Sequence, residues 1–182
     1  ACTGQGSPAL GRFADAIALT RGVCRADQDD QSIISITRAR AAQASGAFER
    51  EIVPVKTPGS SIVSTDEHLT RAQPERVPTL VPLFPPNGTV TAATAAPFSD
   101  GAAALLLTLR SLADERGLPI RALVRGHTSH AQTPEQFITA PVGAVRKLLV
   151  KTGWEARSVD LFEIGEGFAL GVLVVARELG ID

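Results

Sequence analysis

The chain has 182 residues, 44% hydrophobic and 20% charged, the balance of a globular protein with one ordinary core, or one core and an appended lobe. A formal net charge of −1 and a pI near 6.4 exclude the concentrated basic face that a nucleic-acid or anionic-membrane partner requires. No apolar run approaches the roughly 20 residues of a membrane span, and residues 1–10 lack the basic start and apolar core of a secretory signal, so a cytoplasmic location is expected.

Residues 1–8 are rich in Gly, Ser and Pro and read as loose. Leu10, Phe13, Ala14, Ile17 and Ala18 recur at helical spacing up to Arg21, and Gly22 follows where a left-handed cap belongs. A second helix is predicted over 27–45, with Ile33, Ile36, Ala39 and Ala44 facing inward. Acidic residues lie in its first turn, Arg38 and Arg40 further on, and Gly46 closes it. Phe48–Val55 reads as a short strand with Pro54 placing it at an edge. Residues 57–87, rich in Pro, Ser and Thr, read as an irregular, solvent-facing lobe.

Beyond Asn87-Gly88 the texture changes. Ala102–Thr108 is a continuous apolar run, the mark of a strand covered on both faces. A helix follows over 109–116, stopped by Gly117-Leu118-Pro119. Ile120–Val124 is a strand candidate, Pro141–Lys151 a helix with Pro at its start and Gly153 at its end, Val159–Ile164 a strand, and Phe168–Leu179 a helix ending at Gly180. That alternation implies an α/β layer architecture.

Cys2 and Cys24 are the only cysteines. Two cysteines without secretory context read as reduced thiols, and their spacing, with His68, His127 and His130, completes no zinc pattern. His127 and His130, three apart, would share a helix face and could chelate a metal. The flanking Ser, Thr and Pro favour a loop with exposed histidines instead. His68 beside Asp66 and Glu67 is either an acid/base cluster or a solvated turn.

Several motifs fall in one order along the chain. Cys24-Arg25-Ala26-Asp27-Gln28-Asp29 is followed by Ala39-Arg40-Ala41-Ala42-Gln43 and by Gly46-Ala47-Phe48-Glu49-Arg50-Glu51-Ile52-Val53-Pro54. Then come Asp66-Glu67 with Arg71, Thr79-Leu80-x-Pro82-x-Phe84, Gly88-Thr89-Val90-Thr91-Ala92, and Asp100-Gly101-Ala102-Ala103. Pro141-x-x-Ala144-x-x-Lys147, Gly153-Trp154 and Glu166-x-Phe168-Ala169 complete the set. This order resembles the thiolases, acyltransferases of coenzyme A thioesters, over nearly the whole chain. The resemblance implies part of a layered αβαβα fold: residues 1–87 as a covering lobe, 88–118 as a strand–helix segment of the first thiolase half, and 119–182 as the start of the second. It implies no bound cofactor, a coenzyme A thioester as substrate, and homo- or hetero-oligomers with thiolase-like chains. On the residues alone, 88–101 also reads as a strand, a tight turn and a buried helix with no ligand.

The departures concern chemistry. The family's nucleophile is a cysteine in a C-x-S-G setting at a helix start, where the thiolate is favoured for attack on a thioester. Neither cysteine here has that setting: Cys24 stands at the capping Ser position of a helix, and Cys2 resembles a C-x-G-G cysteine at the wrong end. No G-H-P histidine occurs, and Gly126-His127-Thr128 sits in the wrong segment. At the N-E-A-F position, Gly165, Glu166 and Phe168 include glycine in place of the water-holding asparagine. Loss of one oxyanion donor typically costs on the order of 10²–10³ in rate.

The residues that the resemblance assigns to coenzyme A are Thr94, Ala95, Ala96, Pro97 and Phe98, with Arg71 on a phosphate. Thr94, Ala96 and Pro97 stand where many members have Asn, Ser and Gly. Arg71, Arg76 and Arg121 equally fit ordinary surface pairs, and Glu166 fits either a structural carboxylate or a wall of the site. The expectation is an incomplete acyltransferase chain inactive alone, or a catalytically dead binding subunit. An unrelated α/β domain is the third reading.

Overall fold

The computed structural model describes residues 10–84 and 87–181; Cys2 lies outside them. Helix α1 (Leu10–Arg21) buries Gly11, Ala14, Ile17 and Ala18 and carries Arg21 in its last turn. Leu10, expected on the inward stripe, is exposed. Gly22, at φ 62°, turns the chain so that Val23 N–H reaches the Ala18 carbonyl at 2.9 Å.

Helix α2 (Arg25–Ala44) starts two residues before the predicted point because Cys24 caps it. The Cys24 sulfur accepts from Asp27 N–H at 3.5 Å, and the Asp27 carboxylate accepts from Cys24 N–H at 3.0 Å. This reciprocal capping box satisfies two orphan donors. It also holds the Asp27 carboxyl below the usual range, chiefly through the Cys24 N–H, with Arg177 adding to the effect and desolvation opposing it.

The predicted inward face of α2 needs correction. Its buried residues are Gln28, Asp29 and Ser32, while Ile33, Ile36 and Ala39 are half-buried and Ala44 is exposed. The packed face is polar because it serves as an anchor. The Arg25 guanidinium holds Asp29 at 2.8 Å through Nε and donates to the Val77 and Leu80 carbonyls at 3.1 and 2.9 Å. Arg40 donates to the Leu69 and Ala72 carbonyls.

These two arginines fasten the irregular lobe onto α2. Within that lobe the expected strand over 48–55 is turn over 48–51 and irregular over 52–54, and pairing is confined to β1 (Val55–Lys56) against β2 (Ile62–Val63), antiparallel with Val55 opposite Val63. The short helix α3 (Glu67–Arg71) and a 3-10 turn over Pro74–Thr79 complete it.

The later helices are α4 (Arg110–Glu115), α5 (Ala140–Thr152) and α6 (Ala169–Leu179). Gly153 and Gly180 end α5 and α6 in left-handed conformations, as their positions predict. The core joins Ala14, Ile17 and Ala18 of α1 to Val23, Val90, Ile138, Leu170 and Val174, with Phe84, Phe137, Phe168 and Leu173 packed against it. Phe137 and Phe168 meet edge to face, centroids 5.8 Å apart.

Three strand predictions are overturned. Ala102–Thr108, Ile120–Val124 and Val159–Ile164 carry no strand pairing, and β1–β2 is the one sheet among the described residues. The run at 102–108 is exposed instead of covered: Leu105 is 89%, Leu106 88% and Leu107 75% accessible. Apolar content supplies the tendency to form a strand, but a ladder needs a neighbour. Among the described residues none of these three segments pairs with another strand.

Candidate functional site

The site begins with Asp15 on α1. Its carboxylate accepts from Thr89 N–H at 2.6 Å, Val90 N–H at 2.9 Å and the Thr89 hydroxyl at 3.0 Å. Gln28 on α2, fully buried, donates to the same hydroxyl at 2.9 Å. Gly88 is required there: a side-chain carbon would stand 2.5 Å from the Phe84 carbonyl oxygen and 2.8 Å from Asp15 Oδ2.

The chain then turns on its threonines. Thr91 N–H donates to Thr94 Oγ1 at 2.8 Å, and the N–H groups of Thr94 and Ala95 return to the Thr91 carbonyl at 3.2 and 3.1 Å. Both threonines are buried, so Thr94 does its work within its own turn.

Past this turn the loop joins the start of α6. Ala95 bridges Phe168 in antiparallel fashion, with Ala96 N–H on the Gly167 carbonyl at 3.0 Å and Ala169 N–H on the Thr94 carbonyl at 2.9 Å. Glu166 extends the seam to α2: its carboxylate accepts from the Ser35 hydroxyl at 2.8 Å and from Gln31 at 3.5 Å.

Between this seam and the covering lobe lies a cavity of about 530 Å³, within the ordinary size of a small-molecule site. Ala92 to Pro97, Glu166 and Ala169 form one wall, Ser32, Ser35, Ile36 and Ala39 of α2 a second, and His68, Arg71, Arg76, Val77 and Leu80 the lobe side. The lining is mainly apolar but interrupted by Ser32, Ser35, Gln73 and Thr94, with a carboxylate on one wall and cationic groups on the lobe. Among the described residues Arg71 is engaged only by Glu67, at 3.1 Å with both side chains largely exposed. Such a pair is worth at most about 1 kcal/mol and yields readily to a stronger anion.

The structure brings Thr94, Ala95, Ala96, Pro97, Arg71 and Glu166 together around this cavity. Phe98 does not line it and projects fully into solvent. Gly165 has open space where a side chain would go, and Phe168 faces Phe137 in the core. Arg121 is exposed and away from the cavity. His127 and His130 lie outside any helix, and among the described residues no group of three or more His, Cys, Asp or Glu side chains gathers as a metal site. Asp66 caps α3 through the His68 and Leu69 N–H groups, a local turn role. Sequence reasoning missed Asp15, Gln31 and Ser35. None belongs to an apolar pattern, although Gln28 beside them sits in the Arg-x-x-Gln-Asp motif.

Family profiles of the thiolase N-terminal domain and the thiolase C-terminal domain match residues 5–111 and 118–182. The chain is 41% identical over 178 residues to acetyl-CoA acetyltransferase 2 of Arabidopsis thaliana, covering 94% of this chain and 44% of that protein. Its fold superposes with TM-score 0.89 on the Acat5 thiolase of Ascaris suum in complex with coenzyme A, at 34% identity, covering 95% of this chain and 45% of that one. The acetyl-CoA acetyltransferase of Bacillus anthracis gives 0.91 at 32% identity, covering 98% and 46%.

The chain belongs to the thiolase family, and its architecture is part of the α/β thiolase fold. It spans less than half the length of each of these three proteins. No helix of the described residues is long and apolar enough to cross a membrane.

Proposed function

We propose that this chain forms the coenzyme A-binding wall of an acyl-CoA C-acyltransferase site and is inactive by itself. The observation that carries this reading is the cavity built by the 92–97 loop and its seam to Glu166–Ala169, with Arg71 and Arg76 at the lobe side. An apolar slot fits a pantetheine arm, and guanidinium groups fit phosphates. The division of the chain follows the same reading: a covering lobe over 1–87, a first-half segment over 88–118 and a second-half segment over 119–182, in a cytoplasmic setting.

In the complete site a cysteine thiolate attacks the thioester, coenzyme A departs as thiolate, and the acyl group passes to a second acceptor. The C-x-S-G cysteine and the G-H-P histidine have no counterpart in this sequence, so both must come from residues other than these 182.

Isothermal titration of coenzyme A into the purified chain tests the reading. Saturable binding is expected, weakened several-fold by Arg71→Ala and by removal of the nucleotide phosphates from the ligand. Absence of any saturable heat at millimolar coenzyme A overturns it.

Gly165 favours a second reading, a binding subunit that keeps coenzyme A affinity without acyl transfer. With no atom within 4 Å of its missing side chain, Gly165→Asn should fold normally. If the assembled site gains acyl-transfer rate in that variant but shows none without it, the binding-subunit reading stands.

A further inference from the structure

Glu166 is the one carboxylate among the described residues that line the cavity, which it shares with the titratable and cationic groups of His68, Arg71 and Arg76. Among the described residues no Lys or Arg pairs with it. Its carboxylate is held from α2 instead. The Ser35 hydroxyl donates to Oε2 at 2.8 Å, and Gln31 Nε2 donates to Oε1 at 3.5 Å. The first is a good bond to a charged acceptor, and the second lies at the limit of a hydrogen bond.

The sequence neighbours of Glu166 give it no steric support. Gly165 and Gly167 carry no side chain, and nothing lies within 4 Å of where one would start. The Ser35 hydroxyl therefore decides where this charge sits.

The place of the charge matters because the ligand proposed for the cavity is a polyanion. Guanidinium groups attract its phosphates, and a carboxylate in the same slot repels them. A glutamate released from α2 is free to swing into the slot. A unit charge brought within roughly 5–10 Å of an anionic group costs about three- to tenfold in affinity at dielectric values between those of a protein surface and water.

We infer that Ser35 is a positioning residue. By holding the Glu166 carboxylate against α2, it keeps the cavity's one negative charge clear of an anionic ligand, with Gln31 as a weaker second hold. The inference rests on the reading of the cavity as a coenzyme A slot, and it adds the contact that keeps the slot open to anions.

The test is isothermal titration of coenzyme A into the full chain as parent, Ser35→Ala, Glu166→Gln and the double variant, with urea midpoints measured alongside. Alanine suits a helix interior better than serine, and Ser35 and Glu166 are both only half-buried, so the Ser35→Ala midpoint should match the parent. Ser35→Ala should weaken coenzyme A binding about three- to tenfold. In the Glu166→Gln background the acceptor remains and the charge is gone, so the same substitution should change affinity less than about twofold. The Ser35→Ala loss should also shrink as ionic strength rises from about 0.05 to about 0.5 M, because salt screens a charge effect and leaves a packing effect in place.

Affinity of Ser35→Ala equal to or above that of the parent overturns the inference. So does a loss of the same size in the Glu166→Gln background, a loss that salt leaves untouched, or a loss that a fallen urea midpoint accounts for. A parent without saturable binding at millimolar coenzyme A removes the coenzyme A reading and this inference with it. A binding parent with indifferent variants removes the role of Ser35 alone.

Discussion

Arg25 offers the sharpest test of how the cavity is held. Its guanidinium contacts Asp29 and the Val77 and Leu80 carbonyls, and its side chain is 24% exposed against 6% for Asp29. Arg25→Ala leaves a buried carboxylate without its cation and two carbonyls without a donor. Removing one partner of a buried pair costs about 3–5 kcal/mol, and partial exposure of the arginine lowers the expectation to about 2–4 kcal/mol.

Arg25→Lys keeps the charge but has one ammonium for sites that a planar fork reaches together, and should lose about 1–2 kcal/mol. Urea unfolding followed by circular dichroism at 222 nm reads both variants. With a slope of about 1–3 kcal/mol per molar, the midpoint of the alanine variant should fall by roughly 0.7–4 M. Val77 and Leu80 line the cavity, so coenzyme A affinity should fall in parallel. A loss below about 0.5 kcal/mol for Arg25→Ala, within the range of ordinary surface substitutions, would refute the reasoning.

Asp27 has its folded carboxyl lowered by the Cys24 N–H, so its contribution is present above the ordinary carboxylate range and is lost as pH falls through the lowered value. Asp27→Asn should flatten the acid limb of a stability–pH curve below about pH 4 and leave the curve above pH 5 parallel to the parent. Asp15→Ala strands the Thr89 and Val90 N–H groups and should cost about 2–4 kcal/mol in the same urea assay, since each buried donor left unmade costs about 1–3 kcal/mol. Gly88→Ala should lower the melting temperature by several degrees, because its new carbon meets backbone oxygen that cannot swing aside. An unchanged melting curve for that variant would show that the loop relaxes freely.

The readable parts of this sequence were the ones governed by local physics. Gly22, Gly153 and Gly180 stop helices because the left-handed residue after the last turn must avoid a Cβ clash, and that signal lies within a few residues. Cys24 as a cap was readable from its place before an Arg-x-Asp-Gln turn. The inward face of α2 was not readable, because Gln28, Asp29 and Ser32 are buried for their hydrogen bonds to distant partners, which apolar periodicity cannot register. The anchoring roles of Arg25 and Arg40 were not readable for the same reason: their carbonyl acceptors lie tens of residues away. Ala102–Thr108 failed in a different manner: its composition suits a strand, but no strand among the described residues pairs with it. For the cavity, the order of motifs placed the 94–97 loop, while Phe98, next in line, turned away to solvent.

The seam between Ala95 and Phe168 joins positions 73 residues apart in sequence, and this has a consequence for the order in which the chain takes shape. Contacts of that separation form late, since a long loop must close before they stabilise anything. During synthesis the N-terminal helices can pair as they emerge, yet one wall of the cavity stays undefined until α6 has left the ribosome. Nascent chains arrested before α6 has emerged should therefore hold α1 and α2 without this wall of the cavity, and the wall should form only as α6 emerges.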